Sequence, residues 1–188
     1  MALIAKTLNN GVLVRILTGG GIGVLPTDTL LGLVGSALRI SAIERIYTVR
    51  KRDPGKPPIV LIPSIASLEQ FGIKPRNKIL SILKKVWPGK VSVILSRPGR
   101  KFQYLHRGTG AIAFRVPKDT KLVKLLTMVG PLAAPSANTQ GEPPARNLKE
   151  ARRYFGNSVD FYVRGKPKSK VPSKLISIKK EKVEVLRE

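Results

Sequence analysis

Four short apolar runs punctuate the chain: "IGVLP" at 22–26, "PIVLIP" at 58–63, "VSVILS" at 91–96 and "AIAFRVP" at 111–117. Runs this short, bounded by Gly and Pro and without strict polar alternation, read as strands covered on both faces. Between them lie stretches of helical spacing. "NNGVLVRILTGG" predicts a short helix ending at Gly19 to Gly21, and "SAIERIYTVRKR" predicts one from about Ala42 to Lys51, with Ser41 and Glu44 in capping-box spacing. "SIASLEQFG", "PRNKILSILKKVW" and "DTKLVKLLTMVG" are helical by the same reasoning, "PLAAP" is a short strand, and "NLKEARRYFG" is a helix capped by Asn147. After "VDFYVRG" a loop leads to C-terminal strands that should pair antiparallel, with "GKPKSKVPSK" as the most mobile stretch. Helix and strand alternate, so the fold class is α/β: a twisted open mixed sheet with helices on its faces. A length of 188 residues fits one domain spanning 1–188.

Composition removes several chemistries. The chain has no Cys, which excludes disulfides, thiolate nucleophiles and sulfur-ligated zinc, and its single histidine, His106, cannot build an imidazole metal cluster. His106 lies in a basic loop with no orienting carboxylate nearby in sequence, so a Ser-His-Asp arrangement is not expected either. No metal site is read from the residues. "GGGIG" precedes its strand, whereas a dinucleotide-binding turn follows one, and no P-loop is present. No run approaches the length of a membrane span, and the N-terminus lacks a basic flank, an apolar core and a cleavage site. The expectation is a cytoplasmic protein without a membrane partner.

Thirty-five Lys and Arg against eleven Asp and Glu give a net charge of +24. Such a field attracts polyanions. The charge is uneven: residues 61–110 carry ten basic and one acidic residue, and residues 151–188 carry eleven and four. A solvated basic surface and a nucleic-acid role explain this equally well.

Three segments place polar groups where apolar ones would be expected. In "VLPTDTLLGLVG" the strand stops at Pro26, and Thr27, Asp28 and Thr29 crowd its end. Ligand crevices of open α/β sheets form at such strand ends. In "VRKRDPGKPP" Arg50 and Arg52 are spaced to converge on one anion, with Lys56 returning across a rigid turn; guanidinium and ammonium groups suit phosphate oxygens. Cations that complement a helix dipole explain the same pattern. In "PLAAPSANTQG" small residues let a ligand approach Ser136 and Asn138, and in "AIAFRVP" Arg115 ends an apolar strand.

Taken in order, "PTDT…GL", the R-x-R-x-x-x-K-P segment, "WPG" at 87–89, "FRVP" at 114–117 and "APSAN" at 134–138 resemble the YrdC family of threonylcarbamoyl-AMP synthases, from about residue 7 to the C-terminus. That resemblance implies a twisted sheet around a central basic cavity. It implies a nucleotidyltransferase that joins L-threonine, bicarbonate and ATP into threonylcarbamoyl-adenylate with release of pyrophosphate. Mg²⁺ would accompany ATP, and a downstream transferase would pass the group to tRNA. By matching position, Arg50, Arg52 and Lys56 would be catalytic and bind ATP, with Ser136, Asn138 and Ser173. Thr29, Arg115 and Ala134 would bind threonine. The chain departs from the family pattern at Leu31, where tyrosine is common, at Arg50, where lysine is usual, and at Lys174 in "PSKLIS". The charge supports an alternative: a YrdC-like protein that binds double-stranded RNA or tRNA, with lost or altered catalysis.

Overall fold

A computed structural model describes residues 1–96, 101–179 and 182–188, so Arg97 and Arg100 of the basic loop lie outside the described residues. Strand β1 (Leu3–Ala5) precedes helix α1 (Gly11–Thr18), and the Asn10 side chain caps that helix by accepting from the Val12 and Leu13 amides. Strands β2 (Ile22–Pro26) and β3 (Leu31–Ser36) form a hairpin, followed by α2 (Ile40–Arg50) and β4 (Ile59–Leu61). A 3₁₀ segment at Ile65–Phe71 leads to α3 (Asn77–Val86), β5 (Val91–Ser96), the short α4 (Gln103–His106) and β6 (Ala111–Arg115). Then come α5 (Thr120–Val129), β7 (Leu132–Ala133), α6 (Leu148–Phe155), β8 (Phe161–Val163) and a terminal hairpin of β9 (Lys174–Lys179) and β10 (Lys182–Arg187).

The strands join one sheet in the order β1-β8-β2-β3-β7-β4-β6-β5-β9-β10. It is mixed: β8 lies parallel to β1 and β2, β4 to β6 and β5 to β9, while the hairpin pairs β2/β3, β5/β6 and β9/β10 are antiparallel. Alternation along the central strands divides the core. Ile22, Val24, Leu31, Leu33 and Val60 pack against α2, α3, α6 and the 3₁₀ segment, and Leu25, Val34 and Leu61 pack against α1 and α5 on the other face. Gly23 is dictated by this packing, because a Cβ there would collide with the backbone carbonyl and ring of Phe161 on β8.

Three local expectations are altered. Ser41 and Glu44 form no capping box, because α2 begins one residue before Ser41 with Arg39 at its cap and no side-chain cap bond. The Arg39 amide donates to Ser36 O (3.3 Å), so the tight exit from β3 sets the helix start, and Glu44 instead pairs with Arg107 at 2.9 Å. "SIASLEQFG" winds as 3₁₀ rather than α. The stretch expected to be most mobile is tied to the β2–β3 turn by the Lys168 amide on Thr27 O (3.3 Å) and the Ser169 amide on Thr29 O (3.0 Å). Asn147 caps α6 as expected: its Oδ1 accepts the Glu150 amide at 2.9 Å, and the Glu150 carboxylate accepts from the Asn147 side-chain amide and the Arg146 backbone N–H, both at 2.8 Å.

Asp160 fastens the β1–β8–β2 edge. Its carboxylate accepts the Ile22 amide at 2.7 Å and both Arg45 Nη groups at 2.8 and 3.2 Å. Partial burial alone would raise its pKa, but the Arg45 and Ile22 bonds outweigh it and hold the carboxyl below its ordinary value. A depressed folded pKa contributes stability above the unfolded pKa, and that stability is lost as pH falls through the folded one. Asp160→Asn should therefore lower the melting temperature at neutral pH and flatten its decline on acidification. A pH series of thermal melts checks this.

Candidate active site

Pro26 ends β2, and the next residues close a turn on their own side chains. The Thr27 hydroxyl donates to Leu30 O at 2.7 Å and accepts the Thr29 amide at 3.1 Å, which fixes where the Thr29 hydroxyl points. That hydroxyl accepts from Arg115 Nη1 at 2.9 Å. Asp28 accepts the Lys118 amide at 3.1 Å and lies 3.2 Å from Arg115 Nη2. Thr27, Asp28, Thr29 and Arg115 are all buried, so the polar cluster of the sequence is a joint between the β2–β3 turn and the end of β6. Burial pushes the Arg115 pKa down, Asp28 opposes it, and nearby Arg187 adds to it. Asp28 Oδ1 and Arg115 Nε, both buried, have no hydrogen-bond partner. Arg115 is also part of a cavity wall.

Arg50 and Arg52 do not meet at one point. Lys51 adopts left-handed backbone (φ 50°) and ends α2, which sends the two guanidinium groups apart. Arg50 is buried behind the 136–138 turn: Nε donates to Asn138 O at 2.9 Å and Nη2 to Asn138 Oδ1 at 3.1 Å. Ser136 donates to the same Oδ1 at 2.6 Å, and the Asn138 amide group donates to Thr139 O and Glu142 O. Burial and the neighbouring Arg52 charge lower the Arg50 pKa to about 10, which leaves it cationic at neutral pH. Arg52 turns outward, donating from Nε to Lys56 O (2.9 Å) and from Nη2 to Pro57 O (3.0 Å). The Lys56 ammonium is exposed, 3.6 Å from Asp53.

Two adjoining cavities open over strands β4, β5, β6 and β9. One, of about 90 Å³, is lined by Thr29, Leu31, Arg115, Ala134, Ser136 and Ser173 among others. The other, of about 460 Å³, is bounded by Arg52, Lys56, Thr109 and the small or aliphatic residues Ile94, Ala111, Ala113 and Leu175. Both share Ile59, Pro135, Ser136 and Arg187 as wall. Strand alternation builds this floor: Ile112 and Phe114 enter the core, and Ala111, Ala113 and Arg115 face the cavities. Five strands separate β3 from β10 in the sheet, yet Leu31 and Arg187 line one cavity, so the sheet curls over it.

Arg187 carries no mark in the sequence. It sits opposite Leu175 in the β9–β10 register and donates from Nε and Nη2 to Ser173 O at 3.1 and 2.8 Å; burial lowers its pKa. The Ser173 hydroxyl pairs with Ser92 at 2.8 Å, while Lys174 pairs with Glu188 at 2.9 Å. His106 is buried in α4, where its Nδ1 accepts the Gly108 and Gly110 amides and so shapes the loop carrying Thr109.

A profile of the Sua5/YciO/YrdC family, described as "Telomere recombination", matches residues 15–188. The chain belongs to this family. Its Sua5/YciO/YrdC relatives include the threonylcarbamoyl-AMP synthase of Nitrosococcus oceani, 32% identical over 152 residues that cover 80% of this chain and 82% of that one. The threonylcarbamoyl-AMP synthase of Bacillus subtilis is 30% identical over 144 residues, 76% of this chain and 42% of its own. Among solved structures of the family, P. abyssi Sua5 complexed with L-threonine superposes with a TM-score of 0.88 at 24% identity; it covers all of this chain, which spans 57% of that one. E. coli YciO superposes at 0.86 with 22% identity, covering all of this chain and 96% of its own. These superpositions establish the Sua5/YciO/YrdC fold for the mixed sheet described above.

Proposed function

We propose that this chain is a nucleotidyltransferase that condenses L-threonine, bicarbonate and ATP into threonylcarbamoyl-adenylate, pyrophosphate and water, the water leaving as the threonine amine bonds to the bicarbonate carbon to give N-carboxythreonine. The observation that carries this reading is a pair of adjoining cavities with a cationic group at each, Arg115 beside Thr29 and Arg52 beside Lys56, sharing Ser136 and Arg187 as wall. The names of the synthase relatives and the L-threonine complex of P. abyssi Sua5 support it. Threonine would occupy the smaller end, with Thr29, Arg115, Ala134 and Ser173 around it. ATP phosphates would lie against Arg52, Lys56 and Arg187. The carbamate oxygen of N-carboxythreonine then attacks the α-phosphorus near Ser136, the new O–P bond forms as the bond to pyrophosphate breaks, and the electron pair leaves with pyrophosphate. Alignment and charge neutralisation carry the rate, and neither requires an imidazole or a thiol. Arg50 and Asn138 act by holding the 136–138 turn.

Magnesium would arrive on ATP. Phosphate oxygens and water would ligate it; among the described residues no group of three or more His, Cys, Asp or Glu could hold an ion. When bound it would neutralise charge on the departing pyrophosphate. The product, a mixed anhydride, would be consumed by a transferase acting on tRNA. No helix among the described residues is long and apolar enough to cross a membrane.

Binding tests this reading directly. Isothermal titration should show ATP and threonine each binding, and each tightening the other. Failure of both ligands to bind at millimolar concentration would remove the proposal. The alternative of an RNA-binding relative with lost or altered catalysis is the weaker reading, because both cavities retain their cationic groups. RNA remains a proposed partner on the strength of the +24 charge. Affinity for double-stranded RNA should fall steeply with salt, with a log–log slope set by the number of phosphates contacted. A flat dependence would mean a merely solvated basic surface.

A further inference from the structure

Tyr47 occupies an unusual position between two cations from different segments. Arg52 Cζ lies 5.8 Å from its ring centroid and Arg107 Cζ 3.9 Å, both within range of the ring's negative face. The ring is buried on α2, and its hydroxyl donates to Lys56 O at 2.7 Å. That same carbonyl accepts Arg52 Nε at 2.9 Å. The 51–57 turn thus has its peptide carbonyl and its guanidinium fixed against one side chain. The turn needs such a support. Lys51 leaves the helix in left-handed backbone, and beyond it the Asp53 amide donates to the Gln140 side chain at 2.7 Å.

Arg107 reaches the same ring from a different segment of the chain. It follows α4 in left-handed backbone (φ 49°) and pairs with Glu44 of α2 at 2.9 Å. Two residues later Thr109 lines the same cavity as Arg52 and Lys56. One ring therefore contacts both the turn and the segment that borders the larger cavity.

We propose that Tyr47 is the positioning residue of this end. Its hydroxyl and ring set Arg52 and the Lys56 backbone in place, and Arg107 ties the 107–109 segment to the same support. The inference rests on reading the larger cavity as the nucleotide site, but its first test needs no ligand.

Amide hydrogen exchange across residues 52–56 is measured in the ligand-free protein for the wild type, Tyr47→Phe and Arg107→Ala. Tyr47→Phe keeps the ring and should quicken exchange at 52–56 by roughly fivefold, the worth of one hydrogen bond of about 1 kcal/mol. In turnover assays both variants should raise KM for ATP by a similar factor and leave KM for threonine and kcat unchanged. Arg107→Lys, which keeps the cation, should recover part of the loss. Unchanged exchange at 52–56 in both variants would overturn the inference, as would parallel rises in both KM values with a falling melting temperature, the mark of a packing role alone. Absence of threonine-dependent turnover in the wild type would instead defeat the functional reading, and the exchange data would still decide whether Tyr47 sets the turn.

Discussion

Arg52→Ala is expected to lower kcat/KM for ATP by roughly 10²–10³-fold, the usual effect of removing one donor aimed at developing charge. The fold should survive. Arg52 is only half-buried, and the bonds it gives to Lys56 O and Pro57 O tie down a surface turn that Tyr47 also holds. Circular dichroism and melting should be close to wild type, so the loss would be chemical. Arg50→Ala separates the two neighbouring cations: Arg50 is buried and spends Nε and Nη2 on Asn138, so its loss should unfasten the 136–138 turn and lower stability together with activity. Equal kinetic effects without a stability difference would contradict the distinct placements of the two residues.

Replacement of Arg115 with methionine should cost about 3–5 kcal/mol of stability, because it leaves the Asp28 carboxylate buried without its counter-charge. The side chains of the pair are 5% and 4% exposed, so solvent cannot take over the role of either partner. Combining Arg115→Met with Asp28→Asn should restore most of that stability, since a neutral amide can still accept the Lys118 N–H at far lower desolvation cost. Turnover should stay abolished in the double variant, because the guanidinium facing the smaller cavity is still missing. Urea denaturation gives the first quantity and initial rates the second. A loss below about 1 kcal/mol for Arg115→Met would mean that water already reaches the pair.

Much of this arrangement is legible in the sequence. The "AIAFR" run carries its own geometry: a two-residue period sends Ile112 and Phe114 inward and leaves Ala111, Ala113 and Arg115 on the cavity side. The "PTDT" and "APSAN" segments read as polar turns at strand ends, and the structure joins each to a buried arginine. What escapes the sequence depends on distant or backbone-level events. The divergence of Arg50 and Arg52 follows from a left-handed Lys51, a conformation that the residue type does not announce. Strand β1 is three residues long and exists because β8, more than 150 residues later, offers it an edge. Arg187 reaches the cavity wall only because the sheet curls across five intervening strands, and Tyr47 looks like an ordinary core aromatic until the 51–57 turn is folded against it.

The measurement that tests the central claim most directly is pyrophosphate release from ATP by the purified chain, with threonine and bicarbonate added separately and together. Release that requires both, and that yields an acid-labile adenylate bearing the threonyl carbon skeleton, is the predicted result. Release at the same rate without threonine, or none under any combination while the protein is folded, would contradict the account.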